Sequence, residues 1–262
     1  YAAQAGLPSL VVVPAGQVAA GKLAQSLAYG ARTLLVRGDF DACLRLIEQA
    51  EARLGVYLLN AINPFRLEGQ KTIVFELLEQ LGWQAPDWIA LPAGNLGNTS
   101  AFGKALGEAK TLGLIDRVPR LLAVQAAGAA PFARSYDEGF AVRHRVQAET
   151  VATAIRIGDP ASHDRAVQAI RDTDGVVLAV PDAEILAAKE AIDRAGVGCE
   201  PASAASVAGV RRLTERGTIG EDDRVVAVLT GHLLKDPAAA SSNRPIEIDA
   251  DLRALEGALQ PG

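Results

Sequence analysis

Short β-branched runs alternate with amphipathic stretches along most of this chain, and that alternation restricts the fold more than any other feature. LVVVP (10–14) precedes a helical segment around GKLAQSLAYG (21–30), followed by TLLVRG (33–38) and the helical stretch DFDACLRLIEQAEARLG (39–55). Asp39 or Asp41 is available as the N-cap of the last. VYLLNAI (56–62) reads as the next strand, and after Pro64 comes a helix through RLEGQKTIVFELLEQLG. DWIALPAG and RLLAVQAAG (120–128) continue the series, with a helix across HDRAVQAIRDT and a strand at GVVLAVP. PDAEILAAKEAIDRAG (181–196) has a proline at its start and a glycine at its stop, the usual punctuation of a helix. A further helix follows Pro201, where Ala202, Ala205, Ser206 and Gly209 are small enough for close backbone approach. RVVAVLTGH (224–232) reads as a buried strand, residues 134–149 as a polar loop, and the last segment as peripheral. Strands alternating with helices in this way predict an α/β fold of parallel sheets covered by helices.

Composition narrows the function. At 262 residues and 49% hydrophobic, the chain has material for a large core, as one large domain or one domain plus part of another. A net charge of −5, with no run of Lys and Arg, argues against a nucleic-acid or anionic-membrane surface. No apolar stretch approaches a membrane span, because Pro14, Gly16 and Gly21 interrupt the most hydrophobic opening segment. Cys43 and Cys199 belong to no C-x-x-C pair, suit a reducing cytosol and are expected to be buried packing. His144, His163 and His232 lack metal-ligand spacing, so no catalytic metal is expected. The chain begins at Tyr1, inside what reads as the end of a helix, and contains no Met. It reads as the later portion of a longer polypeptide.

One turn carries chemistry. DWIA reads as a buried strand, and Ala101, Leu106 and Leu112 among Lys104, Glu108 and Lys110 read as a helix. Between them lies Gly94-Asn95-Leu96-Gly97-Asn98-Thr99. A strand, a φ-permissive turn and a helix N-terminus together form an anion site, since unpaired N–H groups and the helix dipole aim at one spot. In parallel sheets ligands bind at the carboxyl ends of strands, where this turn falls. It is neither a Walker A loop nor G-x-G-x-x-G, so a phosphate site and an ordinary strand-to-helix turn both fit.

Six stretches in order extend that reading: NPFRLEGQKT (63–72), the 94–99 turn, QAAGAAP (125–131), ATAIRIGDPAS (152–162), CEPASAAS (199–206) and VLTGHLLKDP (228–237). From Tyr1 to about Pro237 the chain resembles the threonine synthase family, pyridoxal-phosphate lyases of the tryptophan-synthase-β type. The resemblance implies a two-domain fold type II pyridoxal-phosphate enzyme, with residues 1–62 part of the small mobile domain and 63–262 the large cofactor-binding domain. It implies that Gly94, Asn95, Leu96, Gly97 and Asn98 hold the phosphate of pyridoxal 5'-phosphate. Thr230 matches the hydroxyl residue that bonds the pyridine nitrogen. Asn60 and Arg66 match residues that grip a substrate phosphate, and Asn98 also touches substrate. Without the family, Thr230 reads as a buried threonine at a strand end and Arg66 as a solvated side chain.

Two departures accompany the resemblance. Ala61 stands where the family has a serine. The Schiff-base lysine lies in an upstream Ser-Phe-Lys-Asp-Arg-Gly motif that this chain lacks, as it lacks the Ser-Thr-Gly-Asn segment that holds the ring hydroxyl. Lys22, Lys71, Lys104, Lys110, Lys189 and Lys235 have none of the required context. The implied activity is conversion of O-phospho-L-homoserine and water to L-threonine and phosphate by the complete, cytoplasmic protein, with this chain inactive alone. The expected partners are that small-molecule substrate and a second copy in a homodimer, with no nucleic acid and no membrane. Two alternatives are a related lyase, such as a threonine or serine dehydratase, and a non-catalytic module that lost its lysine.

Overall fold

The computed structural model describes residues 1–16, 18, 20–59, 63–236 and 246–259, with backbone alone for 20–22. Two parallel sheets organise it. The smaller pairs β1 (Leu10–Pro14) with β2 (Arg32–Val36), Leu10 lying opposite Arg32 and Pro14 opposite Val36, with α1 (Ala20–Ala28) as the crossover. α2 (Phe40–Leu54) follows. Of the two candidate caps Asp39 is the one used: its Oδ1 accepts from the Ala42 N–H at 2.7 Å, and left-handed Gly55 ends the helix.

The larger sheet contains β3 (Trp88–Pro92), β4 (Arg120–Ala126), β5 (Val176–Val180) and β6 (Val225–Ala227), in the order β5-β4-β3-β6 with every pair parallel. α3 (Pro64–Gln70) and α4 (Thr72–Gln80) precede it, α5 (Gly97–Thr111) links β3 to β4, and α6 (Pro131–Asp137) and α7 (His163–Asp172) link β4 to β5. α8 (Asp182–Arg194) and α9 (Pro201–Glu215) lead to β6, and α10 (Leu252–Ala258) lies apart.

Successive residues of a strand face opposite sides, and β3 is buried on both. Ile89 and Leu91 join Leu78, Phe102, Leu106 and Phe132 in one core, while Trp88 and Ala90 join Val124, Ile185 and Leu213 in the other. The small residues of α9 do what the sequence suggests. A β-carbon on Gly209 would stand 2.4 Å from Val124 Cγ2, so the helix lies directly on β4.

Three segments depart from the expected assignment. Residues 56–59 form no strand, because no ladder partner for them exists among the described residues; residues 60–62 lie outside these. Residues 134–137, read as loop, are the last turn of α6, whose first amides are capped from β4: Gln125 Oε1 accepts from the Phe132 and Ala133 N–H groups at 2.9 and 3.0 Å. The final strand covers only Val225–Ala227 and is half-buried, since among the described residues β6 has a single neighbour, β3. Both cysteines are buried, as expected.

Candidate functional site

A cleft of about 1450 Å³ opens at the carboxyl end of β3. Its wall includes β1, Arg66 and Gln70 of α3, the 94–98 turn, the 153–157 segment, Ala202 and Thr230. No lysine stands among the described lining residues.

The left-handed residue of the turn is not one of its glycines. Its positive φ is on Leu96 (64°), whose side chain is 2% exposed and packed in the core. Gly94 and Gly97 supply room instead. A β-carbon on Gly94 would lie 3.0 Å from Ile155 Cα and 3.2 Å from the Ala154 carbonyl oxygen; one on Gly97 would lie 3.2 Å from Gln70 Oε1. Asn95 locks the turn to the segment before α7, its Oδ1 accepting from the Ala161 N–H at 2.6 Å and its carbonyl from the Ser162 N–H at 3.2 Å. Ser100 Oγ donates to the Leu96 carbonyl at 2.8 Å and locks the other side.

These restraints leave the donors free. Leu96, the residue before α5, offers no side-chain cap, and the N–H groups of residues 94–99 have no acceptor among the described residues. The Asn98 carboxamide has no partner there either, and Thr99 Oγ1 and Gln70 Oε1 are buried without one. Bare amides on a helix N-terminus, fixed before any guest arrives, are complementary to a phosphate dianion.

Thr230 faces the cleft from the segment after β6, its Oγ1 3.0 Å from Ser203 Oγ. Ser203 is wholly buried on α9 and accepts from the Gly231 N–H at 2.8 Å. With that proton accepted, the Ser203 hydroxyl can donate to Thr230 Oγ1 and leave the threonine proton for an acceptor in the cleft. Ser203 went unremarked as a site residue in the sequence, where it is one small residue in CEPASAAS.

α3 starts on an Asn63 cap, with Oδ1 accepting from the Phe65 N–H at 2.9 Å and Pro64 at the first position. It is tied to α5 by ion pairs: Lys71 Nζ stands 2.6 Å from Glu68 and 2.8 Å from Glu108, and Lys104 pairs with Glu68. Such half-exposed pairs contribute little stability singly. Here they fix the register of α3 against the turn and so place Arg66, whose guanidinium has no partner among the described residues. Asn60 and Ala61 lie outside the described residues. The remaining predicted residues, Gly94, Asn95, Leu96, Gly97, Asn98, Thr230 and Arg66, line one cleft.

Two of the stretches that carry the family resemblance have a structural role here. Gln125 of QAAGAAP caps α6 and donates Nε2–H to the Ala93 carbonyl at 3.2 Å, bracing the start of the turn. Arg156 of ATAIRIG donates from Nε and Nη2 to the Thr150 carbonyl at 3.0 and 2.6 Å, holding the wall opposite Gly94.

The arrangement suits a phosphate ester carrying a ring acceptor, and comparison with known proteins agrees. Residues 1–231 match the family model for pyridoxal-phosphate dependent enzymes. The chain is 47% identical over 99% of its length to a threonine synthase of Methanosarcina acetivorans, and 45% identical over 99% to one of Methanocaldococcus jannaschii. It spans 65% of the length of each. Among solved structures it resembles Escherichia coli threonine synthase (TM-score 0.72, 23% identity, 98% of this chain and 60% of that one). It also resembles maize serine racemase (TM-score 0.72, 22% identity, 98% of this chain and 71% of that one). At those identities the structures attest to the fold, type II with parallel sheets and covering helices. The sequence relatives and the family model go further: the chain belongs to the pyridoxal-phosphate dependent enzymes.

Proposed function

We propose that the complete protein is a threonine synthase, acting in threonine biosynthesis to convert O-phospho-L-homoserine and water to L-threonine and inorganic phosphate. The observation that carries this reading is the guanidinium of Arg66, without a partner among the described residues, in the same cleft as the amide cradle. One anion site serves the cofactor, and the second suits a substrate that brings its own phosphate.

The residues present fit pyridoxal phosphate: free amides for a dianion, orphaned polar atoms beside them, and a hydroxyl for the ring nitrogen. When bound, the cofactor supplies the electron sink that lets phosphate leave Cγ and water add at Cβ. The chain's own work is positioning. The N–H groups of Gly94, Asn95, Leu96, Gly97 and Asn98 hold the cofactor phosphate. Thr230, with its proton freed by Ser203, donates to the pyridine nitrogen; a neutral hydroxyl there does not protonate the ring, which moderates the sink. Arg66, Asn98 and Asn60 hold the substrate phosphate and orient the Cβ–Cγ bond. The covalent lysine and proton shuttle belong to the part of the protein beyond this chain.

The two sheets support a division into part of a small domain (1–62) that closes over substrate and a large domain (63–262) that carries the cofactor. A cytoplasmic homodimer that binds neither nucleic acid nor membrane completes the reading. The net charge of −5 speaks against a nucleic-acid surface, and among the described residues no helix is long and apolar enough to cross a membrane. The test is the affinity of the complete protein for an unreactive phosphonate analogue of phosphohomoserine. Arg66→Ala should weaken it at least tenfold; unchanged affinity, with ammonia released from serine or threonine, would make the protein a dehydratase instead.

A further inference from the structure

Gln70 closes α3 one turn beyond Arg66, so the two side chains leave the same helix face with roots about 6 Å apart. Both line the cleft. The Gln70 carboxamide lies against the first residue of α5: a β-carbon on Gly97 would stand 3.2 Å from its Oε1, 3.7 Å from its Nε2 and 3.9 Å from its Cδ. Oε1 is nevertheless sealed from solvent with no hydrogen-bond partner among the described residues. Buried polar atoms without partners are few in folded proteins, and each one asks for a cause. A leucine would fill the same space without leaving an amide unsatisfied.

We propose that Gln70 is a ligand for the substrate's phosphate, bridging Arg66 and the α5 N-terminus and selecting phosphorylated over unphosphorylated substrates. The proposal rests on the phosphorylated substrate assigned above. Nε2 has no partner among the described residues and, unlike Oε1, is not sealed from the cleft. It presents N–H donors beside the amide cradle. A neutral donor suits a position between two phosphates, because it can serve either without drawing the cofactor's phosphate out of its cradle. The adjacent Lys71 is unsuited to the task, being held in ion pairs with Glu68 and Glu108. An unphosphorylated amino acid leaves Gln70 unsatisfied, as it is now, and a buried donor without a partner is the means by which polar sites reject an incomplete ligand.

The experiment uses the complete, cofactor-loaded protein, with Gln70→Leu, the isosteric Gln70→Glu and Arg66→Ala compared against the parent. Two probes are titrated by the change in cofactor absorbance: the phosphonate analogue of phosphohomoserine, and norvaline, which has the amino-acid end without the phosphonate. Pyridoxal-phosphate affinity is measured separately by equilibrium dialysis. Gln70→Leu should weaken the phosphonate about tenfold or more, the loss expected for one hydrogen bond to a charged group, and Gln70→Glu should weaken it further by repulsion. Norvaline should bind both Gln70 variants as it binds the parent, pyridoxal phosphate should bind Gln70→Leu as it binds the parent, and the melting temperature of Gln70→Leu should not fall. Should the leucine disturb the fold, the smaller Gln70→Ala takes its place. If Gln70 variants bind the phosphonate normally while Arg66→Ala does not, this inference is wrong and the proposed function stands. If neither position matters, the phosphorylated substrate itself is wrong. Equal loss of pyridoxal phosphate and phosphonate in the neutral variant would assign the residue to the cofactor and overturn the proposal.

Discussion

Gly94→Ala and Gly97→Ala add the same methyl group to the same turn, yet the structure separates their consequences. At Gly94 the new carbon meets backbone: Ile155 Cα at 3.0 Å and the Ala154 carbonyl at 3.2 Å. That wall is braced from behind by Arg156, whose guanidinium donates twice to the Thr150 carbonyl, so it cannot retreat by rotating a side chain. Overpacking of this kind costs about 1–3 kcal/mol. For a domain of 150–250 residues it lowers the melting temperature by roughly 2–4 °C per kcal/mol. At Gly97 the carbon meets only the mobile end of Gln70, at 3.2 Å, and a rotamer change relieves it. Thermal unfolding of the complete protein, with and without pyridoxal phosphate, reads both variants. Gly94→Ala should melt several degrees lower and bind cofactor more weakly as the wall is pushed out. Gly97→Ala should melt within about a degree of the parent, since it changes stability by less than ~0.5 kcal/mol. Equal melting temperatures and cofactor affinities for Gly94→Ala and the parent would show that the wall yields, and that the cleft is not built by the contact described.

Thr230→Ala should retain cofactor but slow turnover, because one neutral hydrogen bond contributes only about 0.5–1.5 kcal/mol; unchanged turnover and cofactor absorbance would remove Thr230 from the site. Ser203→Ala should do both harms, leaving the Gly231 N–H without its acceptor at a cost of roughly 1–3 kcal/mol and Thr230 without its partner; equal stability and turnover to the parent would contradict that. Burial, with Asp193 nearby, pushes the Cys199 thiol up to about 11, so it should resist iodoacetamide at pH 8 in the folded protein and react on unfolding; rapid labelling of the native protein would refute this. Burial, then Asp39 and Asp159, raises the Asp41 carboxyl against the opposing pull of Arg45 and Arg145. The folded chain therefore holds that proton more tightly than the unfolded one, and stability from this group falls as pH rises above its ordinary 3.8. Asp41→Asn should raise the melting temperature at pH 7 with the gain fading as pH falls towards that value; a gain that grows with acid would have the wrong sign.

Local signals in the sequence located most of the framework. Alternation of strand and helix placed both sheets, and Asp39 and Pro201 marked helix starts because capping depends on neighbours in the chain. What escaped is what depends on distant partners. Residues 56–59 have strand composition, but a strand exists only beside another. Gln125 gave no hint that it would cap α6 and brace Ala93 across 32 residues. The turn between β3 and α5 was legible because glycine, asparagine and a following helix are contiguous. Its locks, from Ala161 and Ser162, were not. Nor was the buried amide of Gln70, which shows only once α3 lies on α5.

Leu96 places two incompatible demands on one residue. Its backbone is left-handed, which costs an L-residue with a side chain roughly 1–2 kcal/mol. Its side chain fills core space whose loss costs about 2–5 kcal/mol. Glycine or asparagine meets the first demand and forfeits the second; valine or isoleucine, stiff at the β-carbon, tolerates the first less well than leucine does. Few residue types survive both filters, so position 96 accepts change as a core position does, although it sits in a loop on the cleft. Loss of cofactor on substituting Leu96 would accordingly record the collapse of a mould, with every donor in the cradle still present in the chain.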